Sequence, residues 1–443
     1  MEPLRKVSVA LLSWNGRRHL ETCLEALAAQ DDPGVAWEIL VLDNGSTDGT
    51  ADWLRREVLP HSSRVRLIES PVNLGFCAGN NRLVEEAAGD AVAFLNNDTR
   101  PRPDWLKALV AALAAAPPDV AAVSGKIIDW SGERLDFGRG VMTFDGHAFQ
   151  LDFRRPLDRA RVPEAGEELL FACGGNMLIR RESFRAAGGF DESYFAYLED
   201  VDLGWRLWSG GERILFVPDA VVHHRSSATS DLLGLYNRGF LFERNAFLTA
   251  FKNYEPGTWE RIMPALLLTV LSRTQTLLLE NNPGAETLRL DPYAGHIANT
   301  APAPPVTAPQ LPPITTWEGF RIRWQGYGPL DLFRRGLRKL FPASSSGTGA
   351  PEPPRLTDER TVAQLRALSW LLGNLDRAAA ARAAVQKRRK RSDREIFERF
   401  PLYVVPTYPG DHALFTSPGF EAWLPADLPL VRGRLAEVME WGG

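Results

Sequence analysis

The chain has 443 residues, of which 44% are hydrophobic and 24% charged, and its formal net charge is −4 at pH 7. This composition is typical of a globular protein, and the slightly acidic balance argues against a general nucleic-acid binder, which is usually strongly basic. A chain of this length exceeds one ordinary hydrophobic core, so we expect one large domain and an appended one.

The chain contains three cysteines, Cys23, Cys77 and Cys173. They are too few and too scattered for a disulfide framework or a zinc cluster, which predicts buried free thiols and a reducing compartment, the cytoplasm. The N-terminal residues lead directly into a strand pattern without the features of a signal peptide. The longest apolar stretch, Met263–Leu279, is interrupted by Arg273 and Gln275, so we expect a core helix and no membrane span.

Buried-strand and helix patterns alternate through the first part of the chain. Their order is strand 7–12, helix 17–29, strand 38–42, helix 50–59, strand 65–68, helix 77–88, strand 91–96 and helix 105–113. Four such units in succession predict an α/β fold with a doubly wound, mostly parallel sheet and helices on both faces.

Beyond Val120 the pattern becomes less regular. Short strand-like pieces at 121–123, 126–128 and 141–144 are separated by Gly and Asp turns, which predicts antiparallel strands added to the edge of the sheet. Later patterns predict strands at 171–179 and 214–217 and a closing amphipathic helix at 231–252.

These patterns divide the chain into a first domain at 1–255 and a mainly helical C-terminal extension at 256–443. Pro-rich loops at about 301–313 and 342–354 interrupt the extension, because runs of Pro, Ala, Ser and Gly form no core of their own. The extension also carries two basic segments, 333–341 and 387–391. Such segments either dock on anionic lipid surfaces or form solvated helix faces paired with acids, and both readings stay open.

The most informative motif is the end of the strand at 91–96, where an apolar run stops abruptly at Asn96, Asn97 and Asp98. A carboxylate at the carboxyl end of a buried parallel strand faces the crevice in which α/β sheets bind ligands. Asp98 is therefore either a metal or phosphate–sugar ligand, or a cap for the helix that follows.

Three further turns follow predicted strands, at 13–16, 43–50 and 73–81. In the second turn, Asp43 is placed to accept hydrogen bonds from a nucleoside, although a turn aspartate that bonds its own backbone has the same pattern. The third turn is rich in glycine and opens a helix. It predicts either anion recognition by a helix N-terminus or a tight turn with packing glycines.

Three acids, Glu199, Asp200 and Asp202, lie within four residues after an aromatic run. Helical spacing places Glu199 and Asp202 on one side of a helix and Asp200 on another, so separate roles are expected. One carboxylate held near an acceptor hydroxyl would serve as a general base, and the alternative is that the acids only complement the helix dipole.

Two histidines, His223 and His224, end an apolar run. A neutral imidazole beside a carboxylate is a good ligand for manganese or another divalent ion, although a histidine pair at a strand end is more often structural. Together with Asp98, a histidine of this pair forms a candidate two-ligand site, which diphosphate oxygens and water would complete.

Taken together, residues 7–252 resemble the family 2 inverting glycosyltransferases with the GT-A fold, a Rossmann-like doubly wound sheet, and most of all the rhamnosyltransferase-related bacterial branch. The resemblance rests on eight motifs in order: Ser13–Gly16, Asp43–Gly49, Asn73–Phe76, Leu95–Thr99, Gly174–Asn176 with Arg180 and Arg181, Gly189–Glu192, Glu199–Arg206, and His223 with His224.

The resemblance implies a role for each matching residue. It makes Asp200 the catalytic base, and Asp98 and His224 the ligands of a divalent cation, manganese or magnesium, with His223 as the alternative histidine. Asn96 stands where the family motif has an Asp, which weakens the metal site by one charge. The implied donor-binding residues are Ser13, Asn15, Asp43, Asn73, Gly75, Asn80, Asn96 and Asn97. The implied acceptor-side residues are Gly174, Gly175, Glu199, Asp202 and Trp205.

The implied activity is metal-assisted transfer of a sugar from a dTDP-, UDP- or GDP-sugar to a hydroxyl of a glycan or lipid-linked acceptor, with inversion. Rhamnose is the leading sugar, and the implied location is the cytoplasm, with the inner face of the cell membrane as a peripheral contact. Two alternatives stay open: a nucleotidyltransferase, which should carry a glycine-rich basic loop near the N-terminus, and a non-catalytic sugar-nucleotide-binding scaffold. The oligomeric state is not predicted.

Overall fold

The computed structural model describes residues 4–225, 235–281, 359–408 and 410–439. The two Pro-rich loops and the basic segment at 333–341, which the sequence singled out, lie outside the described residues. Every structural statement below therefore concerns the four described ranges.

The strands of these ranges form one large sheet and two small ones. In chain order they are β1 (Lys6–Ser13), β2 (Ala36–Asn44), β3 (Val65–Ser70), β4 (Ala91–Asn96), β5 (Thr99–Pro101), β6 (Val120–Asp129), β7 (Leu135–Phe137), β8 (Gly140–Met142), β9 (Ala148–Gln150), β10 (Asn176–Arg180), β11 (Arg213–His224), β12 (Leu402–Val404) and β13 (Leu430–Arg432). The large sheet has nine strands in the order β3-β2-β1-β4-β10-β6-β11-β5, with β7 added to β6.

Most strands of the large sheet point the same way. The pairs β3–β2, β2–β1, β1–β4 and β6–β11 are parallel, whereas β10, β5 and β7 run against their neighbours. Strands that are covered on both faces of the sheet have continuous apolar sequences, because the side chains on both faces are shielded from water. This arrangement confirms the predicted α/β fold with a mostly parallel sheet.

Helices cover the sheet and make up most of the C-terminal part. In chain order they are α1 (Arg17–Ala28), α2 (Thr50–Trp53), α3 (Gly75–Glu86), α4 (Trp105–Ala115), α5 (Arg181–Ala187), α6 (Glu199–Ser209), α7 (Leu235–Asn253), α8 (Pro256–Asn281), α9 (Glu359–Gly373), α10 (Leu375–Arg388), α11 (Asp393–Arg399), α12 (Asp411–Phe415), α13 (Pro418–Glu421) and α14 (Leu435–Val438). The predicted helical extension is therefore confirmed, and the boundary at residue 255 stays a prediction.

The pieces at 121–123 and 126–128 were predicted as edge strands, and this prediction is wrong. They form the single strand β6, which lies inside the sheet between β10 and β11. Gly125 between them is not a turn residue. A Cβ atom at Gly125 would lie 2.1 Å from the carbonyl oxygen of Ala220, so glycine is needed for the close approach of β11 where its register shifts.

Other boundaries also differ from the sequence pattern. The piece at 141–144 belongs partly to β8, which pairs with β9 outside the large sheet. The strand predicted at 171–179 begins only at Asn176, because the five residues before it form a loop that lines the cleft described below. The strand predicted at 214–217 extends to His224.

One helix in the described ranges, the part of α8 at Pro256–Glu280, is long and apolar enough to span a membrane by length and composition. The same criterion is met by core helices, and 44% of its most apolar window is buried. One face carries the buried residues Ile262, Leu266 and Thr269, whereas Leu271 is exposed.

A buried ionic cluster joins α8 to three other parts of the chain. Arg273 of α8 is 2% exposed and lies 2.9 Å from Asp145, 3.4 Å from Glu243 and 2.7 Å from Asp411, measured between guanidinium nitrogens and carboxylate oxygens. His147 lies between Asp145 and Glu243 at 3.1 and 3.3 Å. Because these acids come from the β8–β9 turn, α7 and α12, the cluster ties the C-terminal part to the first domain.

The His147 imidazole gives the stability of this cluster a pH dependence. Burial opposes its protonation, but the carboxylates of Asp145 and Glu243 prevail and raise the pKa of His147 to about 9. A raised pKa in the folded state adds stability that is complete below about pH 6.5 and is lost as the pH rises through about 9.

We therefore expect the free energy of unfolding to fall by on the order of 3 kcal/mol between pH 6.5 and 9.5. Urea unfolding across this range measures the slope. His147→Gln should flatten it, whereas His412→Gln on the exposed side of α12 should not change it. An identical slope in wild type and His147→Gln would contradict the assignment.

Candidate active site

A cleft of about 570 Å³ opens at the carboxyl ends of β1, β2 and β4. Many of the predicted site residues line it, namely Asn73, Gly75, Asn80, Asn96, Asn97, Asp98, Gly174, Gly175, Glu199, Asp200 and His224. The carboxyl ends of parallel strands are the usual ligand-binding edge of an α/β sheet, because the loops that follow them diverge there. The fold thus brings together motifs that are up to about 150 residues apart in sequence.

One corner of the cleft contains Asp98, Asp136 and His224. The His224 ring lies 3.4 Å from Asp98 through Nε2 and 2.8 Å from Asp136 through Nδ1. His223 points to the other face of β11, where its ring lies beside Gly132, because successive side chains of a strand alternate. The geometry thus favours His224 over His223 as the partner of Asp98.

The charge on His224 follows from these contacts. Burial opposes protonation, but the hydrogen bonds to Asp136 and Asp98 prevail and raise the pKa of His224 to about 10.

This corner fits a divalent cation only in part. The 3.4 Å separation is close to the roughly 3 Å expected between neighbouring ligands of an octahedral cation. In the four described ranges, however, no group of three or more His, Cys, Asp or Glu side chains is arranged to hold a metal ion. Asp98 and His224 would thus supply two ligands, Asp136 would orient the imidazole, and substrate oxygens would have to complete the shell.

Two acids of α6, Glu199 and Asp200, also line the cleft. Asp200 accepts hydrogen bonds from the backbone N–H of Gly174 at 3.3 Å and of Val201 at 2.9 Å. Burial raises the pKa of Asp200, while these hydrogen bonds lower it. Burial and the neighbouring Asp200 carboxylate hold the pKa of Glu199 well above its usual range. A carboxylate with a raised pKa in a cleft is a suitable general base, because its pKa lies closer to neutral pH.

Asp202 and Trp205 were predicted on the acceptor side, and the structure places neither in the cleft. Asp202 is fully buried and pairs with Arg206 at 2.8 Å and Lys252 at 2.9 Å. Trp205 is also fully buried and packs against the ring of Tyr254. The helical spacing that put Glu199 and Asp202 on one side was correct locally, but that side turns from the cleft towards α7 within one turn.

Three predicted donor-binding residues, Ser13, Asn15 and Asp43, are not among the residues that line the cleft. Ser13 accepts a hydrogen bond from the amide of Asn97 at 3.1 Å. Asn15 accepts one from the backbone N–H of Thr47 at 2.7 Å and so joins the turns after β1 and β2.

The Asp43 carboxylate is 4% exposed, and its Oδ1 atom has no hydrogen-bond partner within the described ranges. Burial raises the pKa of Asp43, and the hydrogen bonds from Ser46 lower it. An unpartnered buried acceptor is costly, which fits an atom that a ligand donor would satisfy.

The glycine-rich turn at 73–81 supports packing more than anion binding. Gly75 has a φ of +82°, and a Cβ atom there would lie 2.5 Å from the ring of Phe195. The backbone N–H groups of Phe76 and Cys77 already donate to the carbonyl oxygen of Phe195, at 2.7 and 3.2 Å. Since these first amides of α3 are bonded within the protein, the tight-turn interpretation of this motif is the one that the structure favours.

The segment before Asp200 adopts an unusual backbone. Phe195, Tyr197 and Leu198 have φ values of 62°, 69° and 63°, in the left-handed region that non-glycine residues rarely occupy. Each such residue costs roughly 1–3 kcal/mol and persists only where surrounding contacts hold it. Strain of this kind is typical of functional segments, and here all three residues line the cleft.

The remaining wall of the cleft is apolar and was missed by the sequence analysis. It is formed by Ala148, Phe149, Phe153, Phe171, Phe242 and Met439. Met439 reaches the cleft because the backbone N–H of Asp152 donates to the carbonyl oxygen of Val438 at 2.6 Å. No local pattern could have indicated this wall or Asp136, because their positions depend on contacts across as many as about 290 residues.

The chain is similar to known proteins in sequence and in structure. Residues 8–188 match the family model described as glycosyl transferase family 2. The chain is 32% identical over 245 residues to the N-acetylglucosaminyl-diphospho-decaprenol L-rhamnosyltransferase of Mycobacterium tuberculosis, covering 50% of this chain and 76% of that protein. It is 31% identical over 217 residues to the O-antigen biosynthesis protein RfbC of Myxococcus xanthus, covering 47% of this chain and 16% of that protein.

Among solved structures, the chain is similar to GalNAc-T7 with UDP, GalNAc and Mn²⁺, at 16% identity and a TM-score of 0.47, covering 60% of this chain and 52% of that one. A likeness at this level supports no conclusion about function. The relationship to the mycobacterial enzyme is much stronger, since it extends over three quarters of that protein. The chain therefore belongs to glycosyltransferase family 2, in the rhamnosyltransferase-like branch with the GT-A fold.

Proposed function

We propose that this enzyme transfers a sugar, rhamnose in the first instance, from a nucleotide-diphosphate sugar to a hydroxyl of a lipid-linked glycan, with inversion and with Asp200 as the general base. The observation that carries this proposal is the position of Asp200 in the same cleft as Asp98 and His224. One cleft then contains both a base and ligands for the cation of a diphosphate.

The proposed step needs one proton acceptor and one leaving group. The acceptor hydroxyl gives its proton to Asp200 while its oxygen forms a bond to the anomeric carbon. The bond from that carbon to the diphosphate oxygen breaks on the opposite face, and the nucleoside diphosphate leaves. Attack opposite to the leaving group inverts the anomeric centre.

Asp98 and His224 would hold the cation, manganese or magnesium, with Asp136 fixing the imidazole. When bound, such a cation neutralises charge that develops on the leaving diphosphate. Asp43 would accept a hydrogen bond from the nucleoside, and its buried Oδ1 atom, which has no hydrogen-bond partner within the described ranges, supports this role.

The acceptor class is supported by the apolar wall and by the mycobacterial relative, an N-acetylglucosaminyl-diphospho-decaprenol L-rhamnosyltransferase. Aromatic side chains suit both the apolar faces of sugars and a prenyl chain, since both contacts bury apolar surface. By the same likeness we propose a role in cell-envelope polysaccharide synthesis at the cytoplasmic face of the membrane.

The basic run at 387–391 gives little support to a membrane contact of its own. Arg389 lies 2.9 Å from Asp393, and Arg391 donates to the carbonyl oxygen of Glu212 at 2.7 Å. Arg391 thereby contacts the first domain, and Arg389 also donates to the carbonyl oxygen of Asn253 in α7, which favours the structural interpretation for these two residues.

The proposal is tested with a short-chain N-acetylglucosaminyl-diphospho-prenol and dTDP-, UDP- or GDP-sugars, including dTDP-rhamnose, with and without manganese. A thermal-shift screen selects the donor first, because a ligand that binds the folded state raises the melting temperature. We expect transfer from one nucleotide class, with the product's anomeric configuration opposite to that of the donor. Retention would contradict the role of Asp200. Nucleotide binding without transfer or hydrolysis would favour the scaffold alternative, and diphosphate release from a nucleoside triphosphate would favour the nucleotidyltransferase.

A further inference from the structure

The strained segment 195–198 is the part of the chain that delivers Asp200 to the cleft. It ends at Leu198, and α6 begins at Glu199, so the backbone of this segment determines where the first turn of α6 lies. Three of its four residues have positive φ. Such a conformation needs donors for carbonyl groups that no helix or sheet can satisfy.

A single buried side chain donates to both central carbonyls of the segment. Asn245 of α7 is 0% exposed, and its amide nitrogen donates to the carbonyl oxygens of Tyr194 at 3.1 Å, Ala196 at 2.8 Å and Tyr197 at 2.7 Å. The carbonyl oxygen of Phe195 accepts from the backbone N–H groups of Phe76 and Cys77 in α3, and that of Leu198 accepts from the N–H of Asp202. The amide of Asn245 thus binds the two central residues of the segment and the residue directly before it.

Arg244 orients the Asn245 amide. Its Nε atom donates to the Asn245 Oδ1 atom at 2.9 Å, and its Nη2 atom donates to the carbonyl oxygen of Tyr194 at 2.7 Å. Since Oδ1 already faces a cation, the NH₂ group must face the carbonyls. The planar guanidinium of Arg244 is suited to hold two acceptors at fixed separation.

We propose that Asn245 is a positioning residue for the catalytic base: it holds the strained segment 195–198 so that Asp200 faces the acceptor hydroxyl. This inference rests on the proposed function of Asp200. Asn245 does not line the cleft, and it acts through the backbone that it binds. Loss of its amide removes this donor from the carbonyls of Ala196 and Tyr197, whereas Arg244 still donates to that of Tyr194, so the segment relaxes and the first turn of α6 shifts.

The test compares turnover with donor binding in Asn245→Ala. Turnover is followed as nucleoside diphosphate release from the nucleotide sugar that the wild-type enzyme uses, with and without the prenyl-linked acceptor. We expect kcat to fall by about 10- to 100-fold, since displacements near 1 Å cost up to that much, and donor affinity to stay within about twofold. A role in stability alone would lower the melting temperature and leave kcat per folded molecule unchanged.

Asn253→Ala is the matched control. Asn253 is also fully buried on α7, and its amide donates to Asp202 at 2.9 Å and not to the segment. We expect it to keep kcat near the wild-type value even if it lowers the melting temperature. An equal loss of kcat in both variants, an unchanged kcat in Asn245→Ala, or a parallel loss of donor affinity would overturn the inference.

Arg244→Lys provides a second test should Asn245→Ala fail to fold. Lysine keeps the charge but cannot hold the Asn245 and Tyr194 oxygens together, so we expect kcat to fall about 3- to 10-fold with unchanged donor affinity. A wild-type kcat in Arg244→Lys would overturn the inference. A wild-type protein that turns over no nucleotide sugar would instead refute the proposed function, and the inference with it.

Discussion

Asp200→Asn is expected to lower kcat by about 10²- to 10⁴-fold, the range that general base catalysis contributes. Asparagine has almost the same shape and can still accept the hydrogen bond from the Gly174 N–H, but its amide cannot take a proton from the acceptor hydroxyl. Donor affinity should stay within about twofold, because the corner with Asp98 and His224 is unchanged. Turnover is measured as transfer to the prenyl-linked acceptor, and donor binding by thermal shift.

Glu212→Gln is the control for this substitution. Glu212 is another partly buried carboxylate whose pKa is raised by burial, and it bonds Ser183 away from the cleft. The same change of carboxylate to amide should therefore leave kcat unaffected. Near-normal turnover in Asp200→Asn, or equal losses in both variants, would contradict the role of Asp200 as the base.

Arg273→Met is expected to lower the free energy of unfolding by about 3–5 kcal/mol. The methionine fills much of the same volume but leaves Asp145, Glu243 and Asp411 without their shared cation in a fully buried site. Removing one partner of a buried ionic cluster is far more destabilising than replacing the whole cluster by apolar side chains, since the remaining charges stay desolvated and unpaired. Urea unfolding at neutral pH measures the loss.

Arg261→Met on the same helix is the matched control. Arg261 pairs with Asp427, and both side chains are largely exposed, so solvent screens the pair and its loss should cost less than about 1 kcal/mol. Equal shifts of the urea midpoint in the two variants would show that the buried cluster contributes no more than a surface pair. A large loss confined to Arg273→Met would support the ionic cluster as the contact that joins α8 to the first domain.

Motifs at strand ends were predictable because their pattern is local. The alternation of apolar strands and helices predicted the sheet, and the polar residues directly after β4 predicted the edge at which Asp98 lies. Asp200 could be singled out because three acids after an aromatic run are poorly explained as a solvated surface. In each case the indication is a change from apolar to polar residues within a few positions. This change is present whatever the rest of the fold is, as long as the preceding apolar residues are buried.

The predictions from sequence were wrong where the position of a residue depends on a contact with a residue far away in the sequence. Gly125 looked like a turn between two edge strands, whereas it provides room for the Ala220 carbonyl in the middle of the sheet. Asp202 shares a helix with Asp200, yet it is fully buried and pairs with Arg206 of the same helix and with Lys252 of α7, so it does not line the cleft. Residue type and spacing could not distinguish these situations, because the deciding neighbour is not in the same segment.

The sequence by itself determined the α/β class, the strand ends that carry ligands, and the membership of a glycosyltransferase family. Only the tertiary structure decided which histidine faces Asp98, which acids line the cleft, and that Asp136, Asn245 and Met439 belong to its surroundings. The physical reason is the range of the interactions. The pattern of apolar and polar residues that predicts a strand or a helix can be recognised within a few consecutive residues. The hydrogen bonds from Asn245 to the segment before Asp200, in contrast, form only when two elements that are distant in sequence pack at the right distance and angle.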